Sequence, residues 1–250
     1  MRRATSAASV IVVLILASGC SGPDADTAAT APAPVTQQTS GPEPFEGMSN
    51  AEVLTPILTA VKRASSVHII TWTYDGTKKA PESDLRVNRS GKGYGTVVID
   101  GSTVSFRRLG QVLYMKADRR FWSDFDQASR MANRWIKVRK GLMKETDAYL
   151  DMLRPADWAE PLAAADPEDI GLMQRHNGMR IDGVEATALL DGPQGVVTTG
   201  GLFFPSSGPS YPLEYRVGVP YRTVMRFQGW NTTTVHVVAP PDPLDLTTLS

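Results

Sequence analysis

The stretch Tyr94–Ala117, "YGTVVIDGSTVSFRRLGQVLYMKA", reads as three β-strands joined by two tight turns. Asp100-Gly101 supplies the first turn, a dipeptide that favours hairpins, and Leu109-Gly110 supplies the second. Two-residue turns place Val97 opposite Val104 and Phe106 opposite Leu113. Successive side chains of a strand point to opposite faces. One face therefore collects Val97, Ile99, Val104, Phe106, Leu113 and Met115. The other collects Thr96, Asp100, Thr103, Ser105, Arg107 and Lys116, with Val98, Val112 and Tyr114 its apolar members. Moving the first turn to Gly101-Ser102 changes partners and leaves both sets intact. The result is an antiparallel sheet with one apolar and one wet face.

The same alternation recurs on both sides. "VHIITWTYD" sets Ile70, Trp72 and Tyr74 against Ile69, Thr71 and Thr73. "NRWIKVRK", "GVEATALLD", "GVVTTGGLFF", "LEYRVGV", "YRTVMRFQGW" and "TTVHVVAP" read as further strands, and "QRHNG" as a turn. In "MSNAEVLTPILTAVKRASS", Val53, Leu54, Ile57, Leu58 and Val61 fall on one helical face. Ser49 and Glu52 resemble a capping box. Pro56 fits poorly inside a helix that starts so early, which favours a start at Thr55 with Pro56 in the first turn. Residues 141–170 carry helical spacing in Leu142, Tyr149, Leu150 and Leu153, and a second helical piece at Ala156–Ala164. The order is helix, strands, helices, strands. It predicts an α+β domain with a strongly curved antiparallel β-sheet, because many short neighbouring strands curl or close, and with helices covering the apolar face.

The chain has 250 residues and one cysteine, Cys20, in "SVIVVLILASGCSGPD". Arg2 and Arg3 precede an apolar run of about ten residues, too short to span a bilayer. A basic start, a short apolar core and the small residues Ala17-Ser18-Gly19 describe a secretory signal peptide over residues 1–19. Its ending on cysteine resembles a bacterial lipobox, with Leu16 one step earlier than usual, so Cys20 is the expected lipidation site. Two acyl chains anchor a protein stably where one does not. Residues 20–47 are rich in Pro, Ala and Thr and poor in apolar side chains, the composition of a disordered tether. Residues 48–250 form the expected folded domain, on the extracytoplasmic side of the cell membrane.

Composition narrows the chemistry. Removing residues 1–19 removes two of 26 basic side chains and none of 26 acidic ones, which leaves a net charge of −2. That balance argues against nucleic acid as a partner. His68, His176 and His236 have no metal-site spacing, so no metal or other cofactor is expected. No G-x-S-x-G elbow and no phosphate loop occur, so an enzyme is not expected.

Segments "AVKRASSVHIITWTYD", "GTVVIDGSTVSFRRLGQVLYMKADRRFW", "RWIKV", "GVEATAL", "PLEYRVGVP" and "MRFQGWNTTTVHVVAPP" together resemble the actinobacterial lipoproteins of the LppX/LprG type. The resemblance covers roughly residues 52–241. It implies a half-barrel fold like that of the LolA/LolB carriers, around an apolar cavity, and binding of a lipid or lipoglycan for transport across the cell envelope. An envelope transporter is the further partner implied. The ligand wall expected from the register is Val97, Ile99, Val104, Phe106, Leu113 and Met115. The alternative is a non-carrier lipoprotein that acts as an interaction, sensor or assembly module. Replacing Cys20 with Ala is expected to abolish acylation. Mass spectrometry of membrane-extracted protein checks this, and acyl chains on the variant would refute the lipobox reading.

Overall fold

The computed structural model describes residues 45–74, 79–139, 173–190, 200–217 and 223–248. Cys20 and the segment 141–170, expected to be helical, lie outside them. The packed body spans Glu43–Ser250.

Helix α1 runs Asn50–Arg63, and Ser49 is its N-cap. The capping box is complete: the Ser49 hydroxyl accepts from the Glu52 N–H, and the Glu52 carboxylate accepts from the Ser49 N–H at 2.6 Å. The helix therefore starts before Thr55, and Pro56 sits inside it. An interior proline costs about 3 kcal/mol in helix stability. Burial of Val53, Leu54, Ile57 and Val61 against the sheet offsets that cost. Phe45, inside the stretch expected to be tether, is buried. Its ring meets Phe204 edge-on at 5.1 Å, and Arg175 donates to the Phe45 carbonyl at 2.9 Å.

Among the described residues, twelve strands form one open sheet. They are β1 (Ser66–Tyr74), β2 (Lys79–Asn88), β3 (Lys92–Ile99), β4 (Ser102–Leu109), β5 (Val112–Lys116), β6 (Ile136–Arg139), β7 (Gln174–Ile181), β8 (Val184–Leu190), β9 (Gly200–Pro205), β10 (Glu214–Val217), β11 (Thr223–Gln228) and β12 (Leu244–Asp245). Their spatial order is β12-β6-β5-β4-β3-β2-β1-β11-β10-β9-β8-β7, antiparallel except for β12 on β6. A short helix, α2 (Ala128–Met131), lies between β5 and β6. This is the α+β half-barrel expected from the sequence.

The first hairpin has the predicted register, with Val97 opposite Val104. In the second, Phe106 pairs with Met115, and Leu113 pairs with Arg108. The turn there is Gly110-Gln111, because Leu109 pairs with Val112. That is a shift of two, so every side chain keeps its predicted face.

Three other segments differ from the sequence reading. β2 was hidden by Pro81 and by its charged residues. "QRHNG" lies within β7, where a bulge between His176 and Met179 absorbs the turn-like Asn177-Gly178, with Gly178 at φ +74°. "TTVHVVAP" forms no ladder: it passes the wet face, where Arg107 donates to the Val238 carbonyl at 3.4 Å.

Gly95 allows β2 and β3 to approach. Its φ is +155°, and a Cβ there would lie 1.9 Å from the Asp84 carbonyl oxygen. Across β4, Phe106 is its partner. Gly95→Ala is expected to destabilise the fold by about 2–4 kcal/mol, because backbone must move. Thr96→Ala, on the exposed neighbour, is expected to cost less than about 1 kcal/mol. Urea unfolding midpoints of the two variants check the difference.

Candidate functional site: the half-buried margin of the apolar face

The strand registers arrange the apolar face as rows that run across the sheet. One row reads Val67, Val87, Gly93, Arg108, Leu113, Val138. The next reads Phe227, Ile69, Leu85, Gly95, Phe106, Met115, Ile136. Apart from the two glycines, every side chain in these rows is buried. The third row reads Leu189, Leu202, Tyr215, Met225, Thr71, Ser83, Val97, Val104. It is different: Tyr215, Met225 and Val97 are half-buried. So are Thr73 and Ile99 at the strand ends beyond it.

Two covers explain the pattern. At the β8–β9 end, Val53, Leu54 and Ile57 of α1 pack with Leu189, Leu202 and Phe204. At the β4–β6 end, the segment 117–135 brings Trp122 and Met131 into one buried cluster with Val104, Phe106, Leu113, Met115, Ile136 and Val138. Tyr215 packs against both clusters. The half-buried residues lie between the two covers.

The six expected wall residues are thus brought to one face and into one cluster. Val97 and Ile99 lie on its half-buried margin, and Val104, Phe106, Leu113 and Met115 lie in its buried interior. Sequence reading missed the rest of the margin. Tyr215 and Met225 alternate with Glu214, Arg216, Val224 and Arg226, which marks their face. Thr71 and Ser83, paired across β1 and β2, lie mid-row and are buried, so hydroxyls interrupt the apolar surface.

Asp118 pins the second cover. Its carboxylate accepts from the Phe121 N–H at 3.0 Å and from the Ser102 hydroxyl at 2.9 Å. Those two bonds, the backbone one first, hold its carboxyl below the ordinary value of 3.8. Behind it, Trp122 meets Phe121 edge-on at 4.7 Å and Phe125 at 5.6 Å. The Trp122 Nε1 is buried without a hydrogen-bond partner among the described residues.

The opposite face carries ion pairs beside a second buried apolar cluster, in which Phe203 packs with Ile181, Ala186, Ala188 and Leu190. Glu214, 1% exposed, accepts from Arg216 through one oxygen and from Arg226 through the other, the latter at 2.6 Å. Arg226 also bonds to Asp182 at 2.9 Å. The guanidiniums lie over rings, Arg226 over Trp72 at 5.2 Å and Arg216 over Phe203 at 4.3 Å. Each charge has its partner, so this ladder is a brace for β10 and β11. A separate shallow groove of about 720 Å³ runs along the outer side of α1, between Met48, Pro56, Arg63 and Tyr211. Among the described residues no cluster could hold a metal ion, and no helix is long and apolar enough to cross a membrane.

No protein-family model matches this sequence, and no curated protein matches it. Solved structures resemble the fold at low identity. LprF from Mycobacterium bovis aligns at a TM-score of 0.46 and 12% identity, over 78% of this chain and 97% of that one. The MucA/MucB complex of Pseudomonas aeruginosa gives 0.33 at 13% identity, over 80% of this chain and 60% of that one. A LolA superfamily protein from Nitrosomonas europaea, NE2245, gives 0.27 at 8% identity, over 76% of this chain and 96% of that one. At these values the likeness is one of fold, and the function is argued from the site.

The depressed Asp118 carboxyl makes the second cover acid-labile. A group whose folded value lies below its unfolded one stabilises above 3.8 and loses that contribution as pH falls through the folded value. Tryptophan fluorescence of the wild type is expected to shift as acid releases the segment around Trp122. Asp118→Ala is expected to show the released spectrum already at about pH 6. A variant spectrum identical to wild type at that pH would refute the pinning role.

Proposed function

We propose that the protein is a membrane-anchored, extracytoplasmic lipoprotein that holds the acyl chain of a lipid or lipoglycan against the margin of its apolar face. The supporting observation is the third row, in which Tyr215, Met225 and Val97 stay half-buried between two packed covers. An apolar surface, broken only by Thr71 and Ser83 and wider than the elements described over it, is suited to be completed by something apolar. Burial would hold the chain, at about 25 cal/mol per Å². A binder that needs no chemistry fits a site without a nucleophile, a metal cluster or an acid–base pair among the described residues.

In this reading Cys20 carries the lipid anchor, and residues 21–44 tether the body to the cell membrane. Val97, Ile99, Val104, Phe106, Leu113 and Met115 form the ligand wall, with Val97 and Ile99 in direct contact and the other four as its packed backing. Loaded protein would pass its lipid to an envelope transporter. The groove along α1 favours a second reading, an interaction module that takes a protein partner there.

Val97→Asn and Ile99→Asn place an amide without a partner on the chain's path. Each is expected to weaken lipid binding by about 1–3 kcal/mol, roughly five- to 150-fold, with the fold preserved. Thr103→Gln, on the wet face, is the control. Native mass spectrometry counts the lipid that co-purifies with each folded variant. Equal lipid in all three would sink the assignment of the wall. A lipid-free wild type would move the reading to the interaction module.

A further inference from the structure

The buried donor on Trp122 is the observation that the account above leaves unused. Trp122 is 0% exposed and belongs to the cluster with Val104, Phe106, Met115 and Met131, none of which has an oxygen in its side chain. Its ring neighbours are Phe121 and Phe125, which have none either. The indole Nε1 is a donor only, and here it has no partner among the described residues. Burying an unpaired donor costs about 1–3 kcal/mol, and native proteins pair nearly all of them. A phenylalanine would fill most of this space without that cost. Tryptophan in a buried position normally uses its N–H.

Topology places Trp122 in the buried cluster whose margin is the candidate site. The segment 117–135 leaves β5 just beyond Lys116, at the sheet end where Ile99, Ser102 and Thr73 also lie. Val97 and Ile99 pack against the cluster that contains Trp122. The buried charge on this face, Arg108, lies in the far row and donates to the Gly110 carbonyl at 2.8 Å. The acceptor that suits Trp122 is therefore a neutral one. A carboxylate or phosphate would be desolvated there without a countercharge among the cluster's side chains.

Resting on the apolar-ligand reading, we infer that Trp122 Nε1 donates a hydrogen bond to a carbonyl oxygen of the bound ligand. The site therefore selects acyl chains linked through an ester or amide over bare hydrocarbon and over free carboxylate. Trp122 fixes how deep the chain sits, because the carbonyl marks one end of it.

The test uses three probes on the whole mature protein: a saturated fatty acid methyl ester, the n-alkane of equal heavy-atom count, and the free fatty acid at neutral pH. Each displaces diphenylhexatriene, followed by its fluorescence. In the wild type the ester is expected to compete about three- to tenfold better than the alkane, the worth of one neutral hydrogen bond. The ester is also expected to compete better than the free acid. Trp122→Phe is expected to erase the preference over alkane, read as the ester-to-alkane ratio within the one variant. Trp135→Phe, which replaces a ring under Arg107, is expected to keep it. Should Trp122→Phe fail to fold, ¹⁵N-indole NMR of the wild type decides: the Trp122 N–H resonance moves downfield with ester and not with alkane. Equal competition by ester and alkane in the wild type overturns the inference, as does a preference that survives Trp122→Phe or an unmoved indole resonance. If no probe displaces diphenylhexatriene, the apolar-ligand reading itself fails and takes this inference with it.

Discussion

Everything here depends on the cover of one apolar sheet face. Strand alternation puts Val, Ile, Leu, Met and Phe side chains on the same side from β6 across to β8. Water must be kept from that surface, at about 25 cal/mol for each Å². Two described elements do so, α1 at one end and the segment 117–135 at the other. The rows near the β3–β4 and β1–β2 cores close completely, and the row through Tyr215, Met225 and Val97 does not. The candidate site is this margin. It follows from the geometry of covering a wide sheet with narrow elements, and no special motif creates it.

The opposite face has a different task. Beside its own buried cluster around Phe203 it carries charge, which stiffens the strands that frame the site. Glu214 is buried between Arg216 and Arg226, and each guanidinium also lies on an aromatic ring. A carboxylate taken so far out of water is tolerated because both of its oxygens are paired. Tyr215 and Met225, the neighbours of these residues in sequence, point to the apolar side and are half-buried there. The same two strands thus carry the ionic brace on one face and part of the candidate site on the other. Gly95 serves the complementary purpose: by admitting the Asp84 carbonyl so closely, it keeps β2, β3 and β4 in one continuous surface.

The hairpin segment showed in advance which side chains share a face, because face membership survives a register slip of two. The exact partners of the first hairpin survived and those of the second did not, since Gly110-Gln111 rather than Leu109-Gly110 makes the second turn. β2 escaped notice because "KAPESDLRVN" mixes proline and charge into an otherwise alternating strand. The start of α1 was misplaced by weighing Pro56 above the capping box, when burial of four apolar side chains outweighs one proline. Within the site, Val97 and Ile99 were legible from alternation alone. Their difference from Val104 and Phe106 was not, because exposure on a shared face depends on how far along each row the covers reach. Trp122 carries no special signal in the sequence. Its unpaired nitrogen is a property of its surroundings, and no local pattern encodes that.

The central claim is that an acyl chain lies along this margin. Photocrosslinking tests it most directly. A fatty acid methyl ester with a diazirine in its chain is bound to the mature protein and irradiated, and the labelled residues are read by tandem mass spectrometry. The account predicts labels on Val97, Ile99, Met225 and Tyr215 that unlabelled ester competes away. Competable labels confined to Met48, Pro56 and Tyr211 along the outer side of α1, or labelling that no competitor reduces, would contradict it.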